Sequence, residues 1–203
     1  MGASIPRVRG VDIKSLVLFQ LNGSYGLIAE LADEASDEEW RSRANPGANL
    51  IGFTVWHCAR VMDWAINCAL RGKPEFVELP EWSDVGVPGA LFGAGIPREI
   101  ADLVPFRVSR DRVTAYINAM REAANEWLTS ARLEDLEGVT DLKARRFSKP
   151  EYMEPETWSE LERLHGIPRW QFLVRPTVSH IRIHYGEVSG QRESMRSGAA
   201  AAG

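Results

Sequence analysis

Apolar residues recur every three or four positions in four segments of the chain, a pattern typical of amphipathic or buried helices. The segments cover approximately residues 12–33, 49–71, 109–133 and 169–195. The connections between them are rich in proline and glycine, which disfavours long regular elements there. The pattern therefore predicts an all-α protein.

The second segment is apolar on nearly all sides, so we expect it to lie inside the protein. It begins at Asn49, a residue type that caps helix N-termini, and ends at Gly72, a residue type that terminates helices. A polar side chain in such a helix needs a partner, because an unpaired buried polar group costs roughly 1–3 kcal/mol. His57 and Arg60 are two such side chains.

The fourth segment contains Pro176, which removes a backbone hydrogen bond. We therefore expect the helix to kink or restart about one turn before His180. The two long connections, 72–108 and 133–168, are predicted to be loops, with a short helix after Pro155 in the second. Connections of this length are often binding segments or lids, and the first one directly follows the helix that carries His57.

Composition narrows the class of protein. The 203 residues fit one domain, predicted to be residues 1–195, and the small residues of 196–203 predict a disordered tail. A net charge of −4 argues against a nucleic-acid partner, since binding phosphates needs clustered basic residues. No apolar run is long enough to cross a membrane, no signal peptide is recognised, and two cysteines within one helix fit reducing conditions. We therefore expect a cytoplasmic protein that binds neither nucleic acid nor membrane.

Three histidines form the strongest chemical signal. His180 and His184 are four residues apart, so they share one helix face, and His57 is a third candidate ligand on another helix. Imidazole suits Zn, Ni, Cu and Fe, and three neutral donors leave at least one coordination position open for water or substrate. The alternatives are that the pair decorates a helix surface and that His57 is a hydrogen-bonded core histidine.

Two further residues are candidates for roles at such a site. Glu187 lies three residues after His184, where it could orient a ligand, bind the ion or act as a general base, or simply be an exposed or helix-capping residue. Arg60 could anchor an anionic substrate or a thiol cofactor, or form an ion pair with Asp63. A zinc-peptidase motif is excluded, because Ile181 occupies the position where HExxH requires glutamate.

Two stretches, NLIGFTVWHCARVMDWAI and SHIRIHYGEVSGQRESM, resemble the second and last helices of the DinB-like superfamily. The resemblance implies a four-helix bundle with up-down-down-up order and a long crossover between its second and third helices. It implies a divalent ion, Zn or Ni, with the family's metal ligands at His57, His180 and His184. It also implies a homodimer, and it points to enzymes that use mycothiol or bacillithiol.

The sequence is compatible with three functions. The leading hypothesis is a metal-dependent thiol S-transferase or isomerase, in which the ion binds a low-molecular-weight thiol that reacts with a small-molecule substrate. A metal-dependent hydrolase would fill the same open position with water. A non-catalytic binding module would instead hold a structural metal in a closed site with a fourth protein ligand.

Overall fold

The computed structural model describes residues 12–153 and 155–202 of the chain. The predicted domain begins at residue 1, and its segment 1–11 lies outside the described residues. Within the described part the protein is helical and contains no β-strand. The prediction of an all-α fold is therefore confirmed.

The first predicted helix is α1, Ile13–Glu34. Asp12 caps it, because the Asp12 carboxylate accepts a hydrogen bond from the backbone N–H of Ser15 at 2.8 Å. A short helix follows, α2, Asp37–Trp40, which begins with a capping box formed by Ser36.

The second predicted helix is α3, Ile51–Asp63, which continues as a π-helix over Trp64–Arg71. It ends where expected, at Gly72, whose φ of 62° lies in the left-handed region that favours glycine. The N-cap prediction was wrong: Leu50, not Asn49, occupies the N-cap and makes no side-chain cap bond. Burial of the helix start replaces the missing cap, since Leu50 and Ile51 are both buried.

The connection 72–108 is more ordered than the predicted loop. It contains two short 3₁₀ turns, Phe76–Glu78 and Pro80–Val85, and the helix α4, Arg98–Arg107. Sequence periodicity alone misses α4 because the helix is short and contains Pro105.

The third predicted helix is α5, Arg110–Ser130, capped by Ser109. The connection after it carries three further short helices and two 3₁₀ turns. These are α6, Leu133–Glu137; α7, Leu142–Ser148; the turn Pro150–Met153; α8, Pro155–Leu161; and the turn Glu162–Leu164. The helix expected after Pro155 is therefore present.

The fourth predicted segment is divided, as the proline indicated. Helix α9, Arg169–Val174, passes into a π-helical turn, Arg175–Ser179, and then into α10, His180–Ala202. Helix α10 continues through most of the segment 196–203, for which the sequence predicts disorder. The high helix propensity of alanine accounts for this extension.

The long helices pack side by side around a common core. Helix α1 lies against α5 and α10, and α3 lies against α4, α5 and α10. The contact between α3 and α10 matters most for function, because it joins the two helices that carry the candidate ligands. The up-down-down-up order and the homodimer stay predictions. None of the helices in the described ranges has the length and apolar character needed to span a bilayer.

Candidate metal centre

The structure brings the three predicted ligands together. His57 projects from α3, and His180 and His184 project from the first turns of α10. The Nε2 atom of His180 lies 3.3 Å from Nε2 of His57 and 3.1 Å from Nε2 of His184. Among the described residues, this trio is the one cluster of histidine, cysteine or carboxylate groups whose ligand atoms converge closely enough to hold a metal ion.

A backbone carbonyl sets the tautomer of His57. Its Nδ1 lies 2.6 Å from the carbonyl oxygen of Phe92. A carbonyl oxygen can only accept, so Nδ1 carries the hydrogen and donates it. In the neutral ring Nε2 therefore presents a lone pair, and that atom faces His180.

Glu187 sets the tautomer of His184 in the same way. The Oε2 atom of Glu187 lies 2.8 Å from Nδ1 of His184, so a carboxylate accepts the Nδ1 hydrogen and leaves Nε2 as the donor for a metal. This hydrogen bond holds the pKa of Glu187 below its ordinary value. Of the roles open for Glu187, orientation of a ligand is the one that this contact provides.

The arrangement fits a cation. Two of the three converging Nε2 atoms are acceptors, and one hydrogen on His180 could satisfy only one of them. Nitrogen atoms bonded at 2.0–2.1 Å to a tetrahedral ion lie about 3.3 Å apart, close to the separations measured here. The buried Nδ1 of His180 has no hydrogen-bond partner among the described residues, so the protein does not impose a tautomer on this ring.

Burial keeps two of the rings neutral at physiological pH. Desolvation, reinforced by the neighbouring His184, lowers the pKa of His57 from 6.5 to about 4. Desolvation, reinforced by His57 and His184, lowers the pKa of His180 to about 2. Neutral imidazole is the form that binds metals, so these rings need not lose a proton first at pH 7.

A tight loop closes over His57. Gly93 has a φ of 96°, and a Cβ atom at this position would lie 2.6 Å from Nδ1 of His57. Glycine is therefore required both for the backbone conformation and for the close approach. Phe92 is held in place because its ring stacks on Trp64, with ring centroids 5.1 Å apart.

Arg60 lies beneath this loop, with only 1% of its surface exposed. Arg60 forms an ion pair with Asp63, with 3.1 Å between the guanidinium nitrogen and the carboxylate oxygen. This ion pair was one of the two roles that the sequence left open for Arg60. Oxygen atoms surround its guanidinium, belonging to Asp63, Glu75, Tyr116, Tyr152 and the backbone of Leu91. Arg60 is not among the described residues that line the neighbouring cavity, so its contacts favour the structural alternative over cofactor binding.

The histidines open into a cavity of about 430 Å³. One wall comes from α3 and the loop after it, and the other from 157–164 and the start of α10. Sequence reasoning missed the polar residues of this cavity, which are Thr157, Glu160, Arg163, Arg175 and Ser179. Thr157 and Glu160 lie in the short helix α8, Arg163 lies in a 3₁₀ turn, and Arg175 and Ser179 lie in the π-helical turn. These elements are too short for periodicity to show which side chains face the cavity.

Comparison with known proteins agrees with this architecture. The sequence profile of the DinB superfamily matches residues 20–188, a range that includes all three histidines. A crystal structure described as that of a conserved protein of locus from Enterococcus faecalis is similar with a TM-score of 0.63, at 17% identity, over 91% of this chain and 98% of that chain. That likeness shows a common fold, and no curated protein sequence matches the chain. The extent of the profile match shows that the chain belongs to the DinB superfamily.

Proposed function

We propose that this protein is a metal-dependent enzyme in which His57, His180 and His184 hold one divalent ion, Zn or Ni, beside the substrate cavity. The observation that carries the proposal is the convergence of the three Nε2 atoms at the wall of that cavity. A divalent ion with an open position lowers the pKa of a water or thiol that binds to it.

The number of ligands supports a catalytic rather than a structural ion. Structural zinc sites are usually closed by four protein ligands, whereas catalytic sites keep a position free. Among the described residues, no fourth ligand joins the cluster, and Glu187 is engaged with Nδ1 of His184 instead. This arrangement disfavours the non-catalytic alternative.

The reaction we propose is transfer of a low-molecular-weight thiol, of the mycothiol or bacillithiol type, to a small molecule. The protein's own thiols are poorly suited to act as the nucleophile, because Cys58 and Cys68 are both buried. Burial raises the pKa of both thiols and so disfavours the reactive thiolate. A thiol nucleophile would then have to come from a dissociable cofactor.

In the proposed enzyme, the residues around the histidines orient the ligands and exclude water. Phe92 and Glu187 accept the Nδ1 hydrogens of two imidazoles and so aim their Nε2 atoms at one point. The apolar residues of the cavity, among them Trp64 and Phe92, exclude water from one side of the reacting groups.

The proposal is tested by titrating the cobalt-substituted protein with mycothiol, bacillithiol and glutathione. Sulfur bound to cobalt gives an intense charge-transfer absorption, so we expect at least one thiol to produce a new band that saturates. A His184→Ala variant, tested for cobalt content in parallel, serves as the control for binding at the site. If none of the three thiols changed the cobalt spectrum, this result would contradict the transferase hypothesis and favour the hydrolase hypothesis.

A further inference from the structure

The cavity has a pair of arginines at its rim. Arg163 and Arg175 both line it and are both exposed to solvent. Within the described part of the chain, neither guanidinium has a hydrogen-bond or ion-pair partner. Several other arginines of the described residues are paired with carboxylates, for example Arg43 with Asp102, Arg112 with Asp84, and Arg196 with Glu39.

A π-helical turn places Arg175 on the same side as the ligands. The backbone N–H of His180 donates to the carbonyl oxygen of Arg175, five residues earlier. In a regular α-helix, residues three and four apart share a face, but an i→i+5 turn brings residues five apart towards one side. Pro176 cannot donate the regular α-helical bond, which accounts for this irregularity.

The rest of the cavity is largely apolar. Its larger apolar side chains are those of Val61, Trp64, Phe92, Leu161, Leu164 and Ile183. Glu160 also lines it, so the two arginines and one glutamate together leave a formal charge of +1 on the described side chains at the rim. The divalent ion of the proposed function would add to this positive charge, so the cavity favours an anionic ligand.

We infer that Arg175, assisted by Arg163, binds the carboxylate of a substrate whose apolar body fills the cavity. Guanidinium groups bind carboxylates with charge-assisted and often bidentate hydrogen bonds. The substrate class is thus an organic acid with an apolar body, oriented so that its far end approaches the three histidines. This inference rests on the proposed function, because it names the substrate class of the same site.

The test uses the full-length, zinc-loaded protein and two probes of equal shape, 4-phenylbutyrate and 4-phenylbutyramide. Isothermal titration calorimetry measures the affinity for each. We expect the carboxylate to bind roughly tenfold more tightly than the amide, the factor that corresponds to one charge-assisted contact. In the Arg175→Met/Arg163→Met double variant we expect this ratio to fall to about threefold or less, with the amide affinity unchanged.

Arg182→Met is the matched control, because Arg182 is an exposed arginine of α10 that contacts Gln20 and does not line the cavity. It should leave the ratio unchanged. Equal affinities in the wild-type protein, binding of neither probe, or a ratio that survives in the double variant would each overturn the inference. Survival of the ratio would show that the ion, not the arginines, attracts the carboxylate.

Zinc content, measured for every sample, separates this inference from the proposed function. Stoichiometric zinc without a carboxylate preference would overturn the arginine subsite and leave the metal centre intact. Absence of zinc after reconstitution would contradict the metal centre, while the titration would still decide whether the arginines select the carboxylate.

Discussion

The Nδ1 atom of His57 donates its hydrogen to the carbonyl oxygen of Phe92 across a distance of 2.6 Å. This contact joins the connection 72–108 to the candidate metal centre. It fixes the ring orientation and the tautomer of a candidate ligand that lies on a buried helix. The loop thus acts as part of the site, although it supplies no candidate ligand of its own.

The close approach of Gly93 to His57 leads to the first prediction. A Gly93→Ala substitution introduces a methyl group that would lie 2.6 Å from Nδ1, so either the ring or the loop must move. We expect zinc affinity to fall about 10-fold to 100-fold, the usual effect of disturbing a ligand's outer hydrogen bond, as measured by competition with a chromogenic chelator.

Gly166→Ala is the control for this substitution. Gly166 also has a positive φ, 78°, but a Cβ atom there meets nothing within 4 Å. Both variants therefore carry the backbone strain of a left-handed residue, and only Gly93→Ala should weaken zinc binding. Equal zinc affinity in the two variants would show that the loop does not position His57.

Glu187 is predicted to act through His184. Glu187→Ala removes the acceptor of the Nδ1 hydrogen, and we expect zinc affinity to fall about 10-fold to 100-fold. Glu187→Gln keeps an acceptor oxygen and should lose less. Glu193→Ala, an exposed glutamate on the same helix, should bind zinc as the wild type does. If both Glu187 variants kept full affinity, the orienting role would be ruled out.

The lowered pKa of His57 predicts how the metal-free protein responds to pH. The ring ionises near pH 4 in the folded state and near 6.5 when unfolded, so between these values the unfolded state binds more protons. Stability is therefore full above about pH 6.5 and declines as the pH falls towards 4. Between pH 7.5 and 5 the free energy of unfolding should drop by roughly 2 kcal/mol from His57 alone.

Urea denaturation of the chelator-treated protein at several pH values measures this decline. His180, with its pKa of about 2, adds a contribution of the same sign. A His57→Gln variant should show a shallower dependence on pH, and His165→Gln, which alters a histidine outside the cluster, should not. A slope unaffected by His57→Gln would mean that this ring titrates normally.

Arg60 is predicted to stabilise the fold that carries the loop. Arg60→Met leaves the buried carboxylate of Asp63 without its ion-pair partner and that of Glu75 with Lys149 alone, which should cost about 3–5 kcal/mol of unfolding free energy. Arg112→Met breaks a surface ion pair with Asp84 and should cost less than about 1 kcal/mol. Chemical denaturation measures both. Similar costs for the two variants would contradict the buried network.

The cluster of ligands could be predicted from the sequence because its signals are local. His180 and His184 share a helix face by their spacing alone, and His57 stands in a helix too apolar to leave a histidine without a partner. The four long segments were visible for the same reason: each repeats an apolar pattern over several turns.

The surroundings of the cluster could not be predicted, because they depend on the backbone of irregular segments. The contact between His57 and Phe92 joins positions 35 residues apart through a loop whose path no periodicity reveals. The proline indicated a break near Arg175, but not that a π-helical turn would place this side chain at the cavity. Periodicity missed helix α4, because the helix is too short to repeat an apolar pattern over several turns.

The most direct test of the metal centre is elemental analysis of the purified protein beside its His57→Ala, His180→Ala and His165→Ala variants. Each sample is reconstituted with Zn or Ni, desalted and checked for helical content by circular dichroism. We predict about one ion per chain in the wild type and in His165→Ala, and loss of the ion from the other two while their helical content remains. A wild-type protein that holds no metal after reconstitution, or folded His57→Ala and His180→Ala variants that keep it, would contradict a metal centre built from these histidines.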